Sequence, residues 1–251
     1  MSEAIDTLKK YFCEEMNTVH YHGDDAFVTQ MADALYRGEI IEYEAPDLYI
    51  KLENVVWVLE HFEFDCSRSN RKGSAFKKEE SRVIRAEEKI KPTNQGTLFH
   101  DKIVAESSYD DYVKNVIKNF KSHYVKIGIY KQNLIKDRIA DENTIFKVIF
   151  LIDDVSILGA SCIDDKGDWI PIILAHCREF LDLLEDSSMV DGVLAFSSCD
   201  DKKLIWFIDR YQLKDYSLNA EDYNSFKFMK LMPNVLEYTI AVPKEFVREN
   251  L

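Results

Sequence analysis

The chain has 251 residues, of which 46% are hydrophobic and 31% charged, and its formal net charge is −13. The apolar content suffices for a folded core, and the presence of only 8 Gly and 5 Pro excludes collagen-like and Pro/Gly-rich disordered proteins. No apolar run approaches the roughly 20 residues of a membrane helix, the N-terminus lacks a signal-peptide pattern, and the five cysteines form no CxxC pair. We therefore expect a cytoplasmic protein with no membrane partner.

The segment up to Gly38 predicts two helices, because apolar residues recur at helical spacing over 5–19 and over 27–35. The stretch His20-Tyr21-His22 is expected at the end of the first helix. Three extended segments follow, and the last is the strongest strand prediction in the chain because it is rich in β-branched and aromatic residues. These segments span 39–44, 48–52 and 55–65.

Charge is unevenly distributed along the chain. Residues 68–138 contain 17 Lys or Arg and 9 Asp or Glu, a net of +8, so the remaining residues carry −21. Segment 68–97 shows no clean period and is predicted to be a partly mobile insertion. Its basic residues are either a solvated loop or a surface that attracts a polyanion. The second interpretation predicts nucleic-acid contacts from Arg68, Arg71, Lys72, Lys77 and Lys78.

A helix is predicted to begin near Ser107 or Ser108 and to continue at least to Gly128. Its apolar stripe faces the core, while three lysines fall on the opposite side at 100° per residue. These lysines extend the predicted nucleic-acid surface, and they are Lys114, Lys118 and Lys121.

The second half of the chain alternates strands and a helix. Pro171 is expected to open the helix, and a hairpin turn is predicted at 164–167. Predicted strands span 147–153, 193–197, 204–208 and 235–242. Because nearly continuous apolar strands need cover on both faces, we expect the α/β class, with a mixed central sheet flanked by helices in α/β/α layers. No repeat or boundary divides residues 1–251, so the prediction is a single domain with the basic insertion at about 68–97.

Glu60 is the anomaly of the strongest predicted strand. Strand alternation places it on an apolar face, between Val58 and Phe62. A buried carboxylate needs a compensating metal, Lys or Arg, unless it lies at the strand end beside a loop. His61 could be a metal ligand, but no second His stands at a ligand spacing, and a lone histidine is more often a packed or capping side chain.

The order of these elements resembles the restriction-endonuclease-like superfamily, the PD-(D/E)XK nucleases. The resemblance covers roughly residues 31–154: a helix, a strand near Pro46-Asp47, a hairpin strand with Glu60, then a helix and another strand. It implies Mg²⁺-dependent or Mn²⁺-dependent phosphodiester hydrolysis, with Asp47 and Glu60 as the acids. The family has a Lys two residues after the second acid, where this chain has Phe62. Some members supply the Lys from the neighbouring helix, and Lys126 is the candidate here; if no Lys reaches the acids, the chain keeps the fold without catalysis.

A second alignment remains open for the acids. It takes Glu60 and Asp65 as the first pair and Asp153, at the end of a later strand, as their partner. In either alignment, converging carboxylates would hold Mg²⁺ while the ion keeps several waters. The predicted catalytic residues are therefore Asp47, Glu60, Asp65 and Lys126, and the predicted metal ligands are Glu60, Asp65 and Asp153.

Two functions are consistent with this sequence. The first is a metal-dependent nuclease or nuclease-like protein that acts on DNA or RNA in bacterial or mobile-element defence or repair. The second is a non-catalytic protein of the inhibitor or immunity type, which keeps the fold and offers its acidic surface to a basic protein partner.

Overall fold

The computed structural model describes residues 18–22, 25–67, 69–70, 73–74, 78, 81–82, 85, 98–105, 107–156, 161–163, 169–199, 202–213 and 234–241. The strands of this part are β1 (Thr18–His22), β2 (Ile40–Glu42), β3 (Leu48–Leu52), β4 (Val55–Phe64), β5 (Ser69–Asn70), β6 (Gly73–Ser74), β7 (Leu98–Ala105), β8 (Ile145–Asp154), β9 (Ser161–Ile163), β10 (Trp169–Pro171), β11 (Gly192–Cys199), β12 (Lys202–Asp209) and β13 (Asn234–Ala241). The α-helices are α1 (Asp25–Arg37), α2 (Tyr109–Tyr124), α3 (Ile127–Lys136) and α4 (Arg178–Asp186). Short 3₁₀ turns lie at Leu174–His176 and Arg210–Gln212.

The centre of the fold is a seven-stranded mixed sheet with the order β1-β12-β11-β8-β4-β3-β2. Strands β4, β8 and β11 run parallel, whereas β2, β3 and β4 form an antiparallel meander. On the other side, β12 is antiparallel to β11 and parallel to β1. The pairs β5/β6, β7/β13 and β9/β10 form separate two-stranded sheets. The predicted α/β class with a mixed sheet is confirmed.

Two apolar cores cover the two faces of the sheet. One face of β4, with Val58 and Phe62, packs against residues of α2, α3 and α4. The other face, with Trp57 and Leu59, packs against α1 through Phe27 and its neighbours. The alternation along β4 therefore follows the period of two that its sequence predicts.

Several predicted boundaries agree with the structure. Helix α1 lies where the apolar spacing places the second helix, and β3 has the predicted bounds. Helix α2 begins after Ser108, whose Oγ accepts a hydrogen bond from the backbone N–H of Asp111 at 3.0 Å. The acidic first turn beside this cap favours the positive end of the helix dipole.

Three local predictions are wrong: the place of His20 and His22, the end of the long helix, and the role of Pro171. His20 and His22 lie in β1, not at a helix end, because β1 pairs in parallel with β12 and this long-range pairing overrides local periodicity. The long helix ends at Tyr124, four residues before Gly128, because the N–H of Lys126 bonds to the carbonyl of His123 and tightens the chain into a turn.

Pro171 does not open a helix. It ends β10, where it is opposite Ser161 of β9, and α4 begins only at Arg178 after a 3₁₀ turn. The first predicted helix at 5–19 lies outside the described residues, apart from its last two positions. In the part of the chain that the structure describes, no helix is both long enough and apolar enough to cross a membrane.

Candidate functional site: a carboxylate pair between two strands

The register of the β3–β4 hairpin brings Asp47 to Glu60. Leu48 is opposite Leu59, so Asp47, one residue earlier, comes opposite Glu60, one residue later. Directly opposed residues of antiparallel strands share a face and have Cβ atoms about 4.5–5.5 Å apart. Continued by one residue, this register brings Asp47 close to Glu60, whose side chain lies on the face that α2 and α3 cover.

Hydrogen bonds to the backbone hold Asp47 in this place. Its Oδ2 accepts from the backbone N–H of His61 at 2.8 Å, and its own N–H donates to Oε2 of Glu60 at 3.4 Å. Burial and the negative charge of Glu60 raise the pKa of Asp47, while the bond from His61 and the charges of His123 and Lys126 partly offset this rise. Burial and the neighbouring carboxylate therefore destabilise the ionised form of Asp47.

Glu60 is buried, with 4% of its surface exposed, and two side chains bond to its Oε1. Nδ1 of His123 lies 2.6 Å from that oxygen, and the hydroxyl of Tyr130 donates to it. Burial and the bond to Glu60 raise the pKa of Tyr130, so the phenol remains a donor at neutral pH. Both donors reach the strand from helices that begin about fifty or more residues later in the sequence.

A row of polar side chains ties α2 to β4. The amide of Asn115 donates to the carbonyls of Asp65 and Ser67, both at 2.8 Å, and Asn119 donates to the carbonyl of Glu63 at 2.9 Å. His123 follows at the next interval of four residues. Residues four apart share one helix face, so this polar row runs down β4 from its end to Glu60.

Helix α3 faces the loop that carries Asp47. Asn133 donates to the carbonyl of Ala45 at 3.3 Å, and the hydroxyl of Tyr43 donates to Asp137 at 2.5 Å. This bond to Asp137 is the main cause that raises the pKa of Tyr43 to about 12. The Ala45–Pro46 peptide bond in the loop is cis.

Lys126 lies in the turn between α2 and α3, where it is the N-cap residue of α3. Its side chain is exposed, and its charge lowers the pKa of Asp47, so it lies within electrostatic reach of the carboxylate pair. The structure thus places Asp47 next to Glu60, whereas Lys126 acts on Asp47 through its charge and forms no ion pair with either acid among the described residues.

The structure does not bring Asp65 and Asp153 to Glu60. Asp65 follows β4 by one residue, about 16 Å along the strand from Glu60 at the usual strand rise, and its Oδ1 accepts from the N–H of Ser67 at 2.8 Å. Asp153 is opposite Glu63 and belongs to the face of β8 that carries Leu151, on the side of α1. The acids of the alternative alignment, Glu60, Asp65 and Asp153, therefore do not converge on one point.

The predicted nucleic-acid surface is described only in part. Lys114, Lys118 and Lys121 are exposed on α2, away from its buried stripe, as the helical spacing predicts. Lys78 is half-buried. Arg68, Arg71, Lys72, Lys77 and most of the 68–97 insertion lie outside the described residues.

His61, His123 and Tyr130 are the residues whose role the sequence did not predict. His61 contributes its backbone N–H, and burial lowers the pKa of its imidazole. The spacing of Asn115, Asn119 and His123 is a signal that points to one helix face, but it does not say which strand that face meets. Tyr130 carries no signal beyond its place in an apolar stripe.

Within the described ranges, no group of three or more His, Cys, Asp or Glu side chains is arranged to hold a metal ion. Mg²⁺ is often bound by only one or two carboxylates, because it keeps several waters and uses phosphate oxygens of the substrate. Oε2 of Glu60 makes one hydrogen bond within the described part of the chain, at 3.4 Å to the backbone N–H of Asp47, so it is the less engaged oxygen of that carboxylate. Asp47 and Glu60 have the oxygen chemistry that such a cation needs, and its charge would offset part of the rise in the pKa of Asp47 that burial and Glu60 cause.

Comparison of the chain with protein-family models, with curated proteins and with solved structures gives no match. The functional argument therefore rests on the geometry of this chain.

Proposed function

We propose that this protein is a nuclease-like protein of the PD-(D/E)XK type that acts on nucleic-acid phosphodiesters with Mg²⁺ or Mn²⁺. The observation that carries the proposal is the proximity of Asp47 and Glu60, shown by the 3.4 Å contact from the N–H of Asp47 to Oε2 of Glu60, with the charge of Lys126 acting on Asp47. The order α1, β2, β3, β4, α2, α3, β8, with β5, β6 and β7 between β4 and α2 and with β8 parallel to β4, supports the same relationship.

Each group has a distinct task in this proposal. Asp47 and Glu60 would hold the cation between them. When bound, the cation would polarise the scissile phosphate and lower the pKa of an attacking water. Lys126, which is exposed, would contact a phosphate oxygen and offset the negative charge that develops there.

The exposed lysines of α2 would hold the nucleic-acid backbone. Lys114 and Lys121 are separated by about 10 Å along the helix axis. Contacts of this type carry no sequence information and weaken as salt is added. The proposal therefore predicts binding to both DNA and RNA that depends strongly on ionic strength.

The test is a cleavage assay on plasmid DNA, single-stranded DNA and RNA with Mg²⁺ or Mn²⁺. Asp47→Asn, Glu60→Gln and Lys126→Met are each expected to lower the rate by at least a hundredfold, as removal of one electrostatic contributor commonly does. The matched control is Glu142→Gln, an exposed acid in the loop before β8. Equal cleavage by all four variants and the native protein would remove the enzymatic proposal.

A non-catalytic binding protein is the second candidate. Glu60 already accepts from His123 and Tyr130, so its charge is stabilised by the protein itself, and the family's Lys position is the buried Phe62. The acidic part of the chain, with its charge of −21, would then bind a basic protein. Capture of a strongly basic protein that salt releases, together with no cleavage in the assay above, would favour this function.

A further inference from the structure

The two oxygens of the Glu60 carboxylate have different surroundings. Oε1 accepts from the hydroxyl of Tyr130 and lies 2.6 Å from Nδ1 of His123. Among the residues that the structure describes, Oε2 has one hydrogen-bond partner, the backbone N–H of Asp47 at 3.4 Å. Both strong donors therefore converge on the oxygen that is not directed to Asp47.

These donors are themselves held in place. The ring of His123 stacks on Phe62, with centroids 5.0 Å apart and an interplanar angle of 18°. Tyr130 is 2% exposed and belongs to the apolar core beneath α3. A donor whose ring is fixed by packing limits the rotation of the carboxylate that it contacts.

We propose that Tyr130 and His123 are positioning residues that bind Oε1 of Glu60 and thereby leave Oε2 to ligate the divalent cation beside Asp47. This inference rests on the proposed function, since it assigns separate tasks to the two oxygens of one proposed ligand. Hydrogen bonds to a ligating group set its orientation, and their loss commonly weakens metal binding by about 10–100-fold.

The experiment measures Mn²⁺ binding to the full chain in the absence of nucleic acid, by electron paramagnetic resonance of the free ion and by calorimetry. Tyr130→Phe removes one donor and His123→Leu removes the other. Each is expected to raise the Kd for Mn²⁺ by roughly tenfold or more. His123→Asn is the conservative variant, because its side-chain amide can donate from near the position of Nδ1, and it is expected to retain most of the affinity.

The matched control is Tyr124→Phe, on the same helix as His123, because the Tyr124 hydroxyl bonds to none of the described residues. This variant is expected to bind Mn²⁺ as the native protein does. Thermal melting of every variant separates a folding defect from a loss of affinity. If Tyr130→Phe fails to fold, the contrast between His123→Leu and His123→Asn still decides the question.

The outcomes separate the two proposals. Native binding that Asp47→Asn abolishes, with unchanged affinity in folded Tyr130→Phe and His123→Leu, would overturn the positioning role and leave the proposed metal site standing. Absence of Asp47-dependent Mn²⁺ binding in the native protein would overturn the proposed function and this inference with it.

Discussion

Replacement of Asn115 by Ala tests how strongly α2 is tied to β4. Asn115 is 6% exposed, and its amide donates to two carbonyls at the end of β4, at 2.8 Å each. An unsatisfied buried acceptor costs about 1–3 kcal/mol, so the loss of both bonds is expected to cost about 2–6 kcal/mol. For a chain of this size, a loss of about 4 kcal/mol corresponds to a Tm lower by roughly 8–16 °C.

Asn119→Ala is the graded control for this prediction. Asn119 makes one bond to β4, at 2.9 Å, and is only half-buried, so its loss is expected to cost about 1–2 kcal/mol. Urea unfolding, followed by circular dichroism, measures both variants on one scale. Equal stabilities for the two variants, or an Asn115→Ala protein within 0.5 kcal/mol of the native one, roughly the range of surface substitutions, would refute the reasoning.

Three further predictions concern a carboxyl group, two thiols and the core. Burial and Glu60 raise the pKa of Asp47 in the folded state above its ordinary value of 3.8. The folded protein therefore loses stability as the pH rises from 3.8 through the folded-state pKa and Asp47 ionises. Asp47→Asn should raise the urea midpoint at pH 7 in EDTA, with a smaller gain at pH 4, where part of Asp47 is already protonated. Burial raises the pKa of Cys66 to about 11 and that of Cys177 to about 12, so mass spectrometry should find both thiols unlabelled by iodoacetamide at pH 8 until urea unfolds the chain. Phe120 is fully buried, with ring centroids 4.9 Å from Phe150 and 5.8 Å from Phe180, and Phe120→Ala should lower the free energy of unfolding by about 3–5 kcal/mol; a loss under about 1 kcal/mol would contradict this packing.

The face of β4 that carries Glu60 could be predicted from local sequence alone. Alternation of β-branched and aromatic residues has a period of two, and the core confirms it, since Val58 and Phe62 pack against α2 while Trp57 and Leu59 pack against α1. A carboxylate on the first of these faces had to find compensating partners. The local sequence pattern therefore identified Glu60 as an unusual buried acid, but it did not identify His123 and Tyr130 as its hydrogen-bond partners.

The approach of Asp47, which directly precedes β3, depends on hairpin register, which the sequence specifies poorly. The two-residue loop is Glu53-Asn54, and Glu53 adopts φ 54°, a conformation for which glycine or asparagine is the usual residue. Because Glu53 is neither glycine nor asparagine, the sequence does not mark this turn, and the register could be read one residue off. Such a slip would move Asp47 to the opposite face of the sheet. The pairing of Asp47 with Glu60 thus follows from tertiary structure and from the tight turn that the loop makes.

The partners on the helices depend on the break after Tyr124. A continuous helix would carry residue 130 about 9 Å farther along the axis from Tyr124. The turn at Val125 and Lys126 instead starts a second helix, which Asn133 ties to the loop before β3. Tyr130 and His123 can therefore converge on one oxygen from two helices, while Lys126, at the break itself, remains exposed and its charge acts on Asp47. Apolar periodicity continues across this break, which is why it predicted one helix and missed the arrangement on which the site depends.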